Sequence, residues 1–211
     1  MNTEPTFDIN CRKCERLAGF LDEVKEKHPD YFCKPVPAFG DADAKLVIVG
    51  LAPGMHGANR TGRPFTGDYA GVLLYETLCK YGFATKPVSV SADDNLQLIN
   101  CRISNAVKCL PPDNKPLPIE ITTCNQYIAA ELQAMKPGSV ILALGNVAHA
   151  AVLKAFAVKA KDYKFGHAAR HILPNGLALY DSYHCSRYNT QTRRLTEAMF
   201  HEVFAKISAE L

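Results

Sequence analysis

Three groupings of residues in this chain have the types and spacing to do chemistry. Cys11-Arg-Lys-Cys14 is a C-x2-C pair, and two thiolates at that spacing can share one zinc ion or one iron–sulfur cluster. The stretch Gly50-Leu-Ala-Pro-Gly-Met-His-Gly-Ala-Asn-Arg-Thr-Gly-Arg-Pro-Phe-Thr-Gly-Asp68 is a long glycine-rich loop in which Gly57 and Gly62 have the separation of a phosphate loop. Arg63-Pro64 stands where such a loop needs Lys-Ser/Thr, and Pro64 has no N–H to offer a phosphate, so a nucleoside triphosphatase is excluded. The third grouping is Ser182-Tyr-His-Cys-Ser-Arg-Tyr-Asn189, dense in hydrogen-bonding and cationic side chains around His184.

The elements that must position these residues follow from apolar periodicity. Cys11 to Lys27 has Leu17, Phe20, Leu21 and Val24 at helical spacing and stops at His28-Pro29-Asp30. Lys45 to Gly50, Arg102 to Val107, Ser139 to Leu144 and Leu177 to Asp181 are short, β-branched or apolar runs expected to be buried strands. Gly71 to Tyr81, Pro118 to Met135, Asn146 to Ala157 and Leu195 to Ile207 are expected to be helices, the second with Pro in its first turn. Alternating strands and helices indicate a parallel sheet covered on both faces, with its site at the carboxyl ends of the strands. The loops Leu51 to Asp68, Lys108 to Lys115 and Ser182 to Asn189 would converge there. Lys86 to Asp94 reads as an ordinary exposed loop.

Composition sets the outer bounds. The 211 residues suit one domain, 1–211, and 47% apolar with 21% charged residues is the balance of a globular protein with a sizeable core. A formal net charge of +3 is too small to announce a nucleic-acid binder by itself. Met1 to Asn10 has neither the basic start nor the apolar run of a signal peptide or membrane span, so an intracellular protein is expected. Eight cysteines in such a chain point to a metal, a cluster or buried thiols rather than disulfides.

Taken in order, the Gly50 to Asp68 loop, Asn105-Ala-Val-Lys-Cys-Leu-Pro-Pro112 with Asn114-Lys115-Pro116, Leu142-Ala-Leu-Gly145 and Ser182 to Asn189 resemble the motifs of the type b, or fifth, family of uracil-DNA glycosylases. The resemblance spans most of the chain. It implies an α/β fold, a three-layer α/β/α sandwich around a central four-stranded parallel sheet, with residues 1–40 an N-terminal helical cluster-binding extension. It further implies a [4Fe–4S] cluster and base excision without strand cleavage. Cys11, Cys14, Cys109 and Cys124 match the family's cluster ligands in order, leaving Cys33, Cys79, Cys101 and Cys185 as buried or partly buried thiols. The partner is then DNA containing uracil or related deaminated bases, with no membrane association, and the protein a cytoplasmic (prokaryotic cytosol or nucleoid) monomer.

An enzyme of that kind must hold a flipped base by its face and by its edge. Phe65 offers an aromatic face; the Asn105 carboxamide pairs with uracil N3–H and O4 but meets cytosine with mismatched groups. His184 would donate an imidazole N–H toward the O2 that gains charge as the bond to the sugar breaks. Asp68 matches the residue to which this type's catalysis is ascribed, Ala52 standing where several relatives carry an acidic or polar residue; helix capping is the alternative role for Asp68. Gly50, Leu51, Ala52 and Gly54 complete the base-binding set, with Gly54 in place of a tyrosine wall, which widens the range of bases. Arg60, Arg63, Ser182, Ser186, Arg187, Tyr188, Arg193 and Arg194 are expected at the DNA, with Arg187-Tyr188 filling the vacated stack. An iron–sulfur redox protein or a non-catalytic lesion-binding module are the alternatives. Lys108, a conceivable amine nucleophile, is expected to point to the other side of its strand or to phosphate.

Overall fold

The computed structural model describes residues 7–211; Met1 to Thr6, part of the polar opening and of the 1–40 extension, lie outside the described residues. The apolar runs Leu46–Gly50 (β2), Val140–Leu144 (β4) and Ala178–Ser182 (β6) are buried along their whole length, because each sits inside a sheet covered on both faces. With Cys101–Asn105 (β3) they form four parallel strands in the order β3-β2-β4-β6, as expected. Two short edge strands extend the sheet to six, Phe39–Gly40 (β1) antiparallel on β3 and Arg170–Ile172 (β5) antiparallel on β6. Two and three residues are too few for periodicity to mark, so these strands carry no sequence signal of their own.

Alternate side chains divide the core. Leu46, Ile48, Leu142 and Tyr180 pack with helices Tyr69–Lys80 (α3) and Glu197–Glu210 (α7). Val47, Val49, Ile141 and Leu179 pack with Pro118–Gln133 (α4) and Asn146–Ala155 (α5). The result is a three-layer α/β/α sandwich. Two short helices, Ala58–Thr61 (α2) and Arg187–Gln191 (α6), lie in the loops after β2 and β6. Among the described residues no helix is long and apolar enough to cross a membrane.

Two boundaries change what the residues can do. The first helix, Glu15–Lys27 (α1), starts four residues later than its apolar spacing suggests, with Cys14 as an extended N-cap residue. Cys11 and Cys14 therefore lie on non-helical backbone before it. The loop 86–94 is also more than an ordinary exposed loop: the Asp94 carboxylate accepts from the Val90 and Leu96 amides and from buried Arg63.

Candidate active site

The carboxyl ends of the parallel strands open onto one cleft of about 370 Å³, within the roughly 300–1,000 Å³ range of small-molecule sites. Leu51, Ala52 and Gly54 enter from the loop after β2, Phe65 and Asp68 from the end of that loop, Asn105 from β3, Gly145 from the end of β4 and His184 from the loop after β6. Gly50 lies just beneath: a Cβ there would come within 2.4 Å of Asn105 Oδ1 and 2.8 Å of the Phe65 ring. Glycine at this strand end is what lets the carboxamide and the aromatic ring approach each other. Phe65 takes a left-handed backbone (φ 52), a costly conformation for a bulky residue. Its neighbours impose it, since the Tyr75 hydroxyl donates to the Pro64 carbonyl and the Thr66 side chain is tied to Arg63 and Ser89.

Two polar groups in the cleft have no protein partner. Asn105 Oδ1 and His184 Nδ1 are both buried and make no hydrogen bond. Such orphans are uncommon in a folded interior, and each calls for an explanation such as a ligand, a water or a local strain. Burial pushes the His184 pKa down to about 4, so the ring is neutral near pH 7. It lies near-parallel to Phe65, ring centroids 5.8 Å apart at 27°, and Asn189 holds its backbone carbonyl.

The two carboxylate oxygens of Asp68 face different neighbours. Oδ1 accepts the Gly71 amide at 2.8 Å and caps α3, while Oδ2 turns toward Gly54 and Gly57. Burial raises its pKa, and the Gly71 and Ala70 amides partly counter this. Gly54 has open space beside it, its nearest neighbour being Asp68 Oδ2 at 3.9 Å from a Cβ placed there.

Not every expected DNA contact faces outward. Arg63 is 4% exposed, its guanidinium bonded to Thr66, Ser89 and Asp94 and stacked 4.8 Å from the Phe39 ring, so it braces the loop from within instead of facing a phosphate. Ser182 is fully buried, its hydroxyl donating to the Tyr183 carbonyl, and it too is withdrawn from the surface. Arg60, Arg187, Arg193 and Arg194 are exposed, with Arg187 over the Tyr69 ring and Arg194 over the Tyr183 ring. Tyr188 is 70% exposed, and Ser186 lines the cleft while capping α6. Lys108 points away from the cleft, its ammonium buried against Ser104 and 2.8 Å from Glu131. Asn114 and Asn146 line the cleft without having been named as site residues; Asn114 ends a short turn after β3 and Asn146 opens α5, positions where Asn is common, so residue type alone gave no signal.

A second, enclosed cavity is lined by Cys11, Cys14, Cys109 and Cys124 together with Leu17, Val107 and Tyr127. The remaining cysteines are elsewhere; Cys101 and Cys185 are fully buried on the α3/α7 side of the sheet. Burial, reinforced by the neighbouring cysteines, pushes the thiols of Cys109 and Cys124 up, to about 12 and about 11, so four thiolates here would need a strongly cationic centre among them. Among the described residues, the one group of three or more candidate ligands whose atoms all lie within 4.8 Å of one another is His149, His171 and Asp181. Four cysteines lining one cavity are a donor set that a structural metal ion or an iron–sulfur cluster can use. Ala52 lines the cleft and packs against the cluster of Leu17, Val107, Cys124 and Tyr127.

Residues 37–208 match the profile of the Uracil DNA glycosylase superfamily. The chain is 44% identical over 198 residues to the type-5 uracil-DNA glycosylase of Thermus thermophilus, covering 92% of this chain and 90% of that protein. It is 39% identical to the type-5 enzyme of Pyrobaculum aerophilum, covering 96% and 89%. The type-4 uracil-DNA glycosylase of Archaeoglobus fulgidus is 34% identical over a shorter stretch, 66% of this chain and 57% of that protein.

Proposed function

The chain belongs to the uracil DNA glycosylase superfamily, and on that footing we propose that it flips uracil out of DNA and hydrolyses the bond between base and deoxyribose, leaving an abasic site. The observation that carries this reading is the pair of buried, unpartnered atoms at the cleft, Asn105 Oδ1 and His184 Nδ1. A cleft bordered by an unpartnered carboxamide oxygen and a neutral imidazole suits a small planar ligand with an N–H donor and carbonyl oxygens.

Each residue then has a physical task. Phe65 stacks on the flipped ring, worth about 1–3 kcal/mol. Asn105 Oδ1 accepts uracil N3–H, whereas cytosine would set a lone pair against it, so discrimination follows from leaving one buried acceptor unpaired with the wrong base. As the C1′–N1 bond breaks, charge grows on O2, and His184 donates its N–H there without having been cationic. Asp68 Oδ2 orients a water toward C1′, takes its proton and counters positive charge on the sugar. Because Gly54 leaves the pocket wall open, deaminated purines and 5-substituted pyrimidines fit as well.

Cys11, Cys14, Cys109 and Cys124 would hold a [4Fe–4S] cluster, whose contribution when bound is to staple the segment before α1 to the β3 end and to α4. The exposed Arg60 on α2 and Arg187 and Tyr188 on α6, in the loops after β2 and β6, would serve for phosphate contacts and for filling the vacated stack.

The test is incubation of the pure protein with duplexes carrying a single uracil, hypoxanthine, xanthine or thymine, followed by alkali. Alkali-labile sites at uracil without prior strand breaks are expected. Tight binding with no base release would make the protein a lesion-binding module instead.

A further inference from the structure

We propose that His149, His171 and Asp181 form a binding site for one divalent transition ion of the zinc class, which clamps edge strand β5 and helix α5 to strand β6. The site shares no residue with the cleft or with the cysteine cavity. It joins three elements, with His149 on α5, His171 on β5 and Asp181 on β6, and one donor atom from each lies within 4.8 Å of the other two.

The hydrogen bonding requires a positive centre there. His149 Nε2 lies 2.9 Å from the Tyr163 carbonyl oxygen, which can only accept, so this nitrogen carries the N–H. In the neutral ring Nδ1 then presents a lone pair to Asp181 Oδ1 at 2.8 Å. Two lone pairs at that distance repel unless a proton or a metal ion lies between them. A proton would satisfy His149 alone, leaving Asp181 Oδ2 and His171 Nε2 buried, 3.4 Å apart and without hydrogen-bond partners. A cation held among the three reaches all of these atoms.

The surroundings are those of a ligand set. Asp181 is fully buried, and the Phe165 and Tyr163 rings, 5.6 Å from His149 and 5.7 Å from His171, shield the group from water. The Tyr163 carbonyl fixes the His149 ring from behind, as outer-shell acceptors do for ligating histidines. Two imidazoles with one carboxylate favour zinc-like ions over magnesium or calcium, which prefer all-oxygen sites. Asp181 lies on the strand that leads into the His184 loop, so the ion would stiffen the base of that loop.

Full-length protein, isolated anaerobically with its cysteine centre intact and freed of loosely held metal by a chelator, is titrated with Co2+ and then Zn2+. One equivalent of Co2+ should give weak visible bands without the intense near-ultraviolet sulfur-to-cobalt charge transfer that thiolate ligands produce, and Zn2+ should displace it and raise Tm. His171→Ala should weaken Co2+ binding by at least about 100-fold, the upper range seen even for outer-shell partners. Cys79→Ala, outside both the cleft and the cysteine cavity, should leave it unchanged. His171→Gln keeps an amide able to bond Asp181 and is a poor zinc ligand, so it separates loss of the ion from loss of the fold. Failure of the native protein to take up Co2+ or Zn2+, or uptake unaltered in both His171 variants, overturns the proposal; nitrogen NMR showing both His149 ring nitrogens protonated would then identify a proton as the occupant.

Discussion

Asp68 and Gly57 share a contact that leaves no room for a side chain, since a Cβ on Gly57 would lie 2.5 Å from Asp68 Oδ2. The carboxylate is thus held between the α3 amide that Oδ1 accepts and the bare backbone of the pocket loop. Asp68→Asn keeps a capping oxygen, so a loss of at most about 1 kcal/mol in stability is expected. Single-turnover base release should slow by roughly 10²–10⁴-fold, about 3–5 kcal/mol in barrier height. A rate within a few-fold of the parent with a lowered Tm would leave Asp68 as a cap only.

Protonation should switch off the reaction from the acid side. Asp68 must be ionised to take a proton from water, and burial raises its pKa, so the single-turnover rate should begin to fall above the ordinary carboxylate range as pH drops. Asp68→Asn should remove that limb of the pH profile. An unchanged limb in the variant would assign the titration to another group.

His184 predicts a pH-dependent stability. Its folded pKa, about 4, lies below the ordinary 6.5, so the unfolded chain takes up the proton first as pH falls. The stability from keeping it neutral is present above pH 6.5 and lost progressively toward pH 4. Tm should drop less steeply over this window in His184→Gln than in the parent; equal slopes would mean that the ring protonates freely in the folded state.

The two pocket glycines should behave oppositely. Gly50→Ala drives a methyl into Asn105 and the Phe65 ring, and uracil release should fall at least about 100-fold, as misplacing reacting groups by about 1 Å can do. Gly54→Ala meets only open space and should be nearly silent, while Gly54→Tyr should retain uracil release better than release of thymine or purine lesions. Equal losses for every base in Gly54→Tyr would refute the open-wall explanation.

The arginines should separate into braces and contacts. Arg63→Ala strands Asp94 and should cost about 3 kcal/mol or more in stability, with DNA affinity of the folded fraction little changed. Arg60→Ala or Arg187→Ala should leave Tm alone, weaken DNA binding and reduce the salt slope by about one unit. Melting curves and salt-dependent binding titrations on the three variants decide it.

Cys109→Ala should yield protein with little iron and a lowered Tm, while Cys101→Ala should retain iron, because only Cys109 lines the four-cysteine cavity. Iron and zinc analysis of anaerobically purified protein checks this. Stoichiometric zinc without iron in the parent would refute the cluster.

The four parallel strands were legible in the sequence because burial on both faces turns each into a short unbroken apolar run, and such a sheet puts its site at the strand ends wherever the loops are polar. Asn105, Phe65, Asp68 and His184 were named on the family resemblance, and each lies at the end of, just past or between such runs. What a local pattern could not decide is which polar side chains consume one another. Arg63 looks like any loop arginine until Asp94, 31 positions later, folds back against it. His149 looks like a helix-face histidine until Asp181, 32 positions away, meets its ring. That Asp68 can cap α3 with one oxygen and keep the other beside the pocket loop is likewise set only by the fold, which puts Oδ1 on the Gly71 amide and Oδ2 next to Gly54 and Gly57. Hydrophobic periodicity is written locally and survives in the sequence, whereas the pairing of charges depends on distances that exist only once the chain has closed its core.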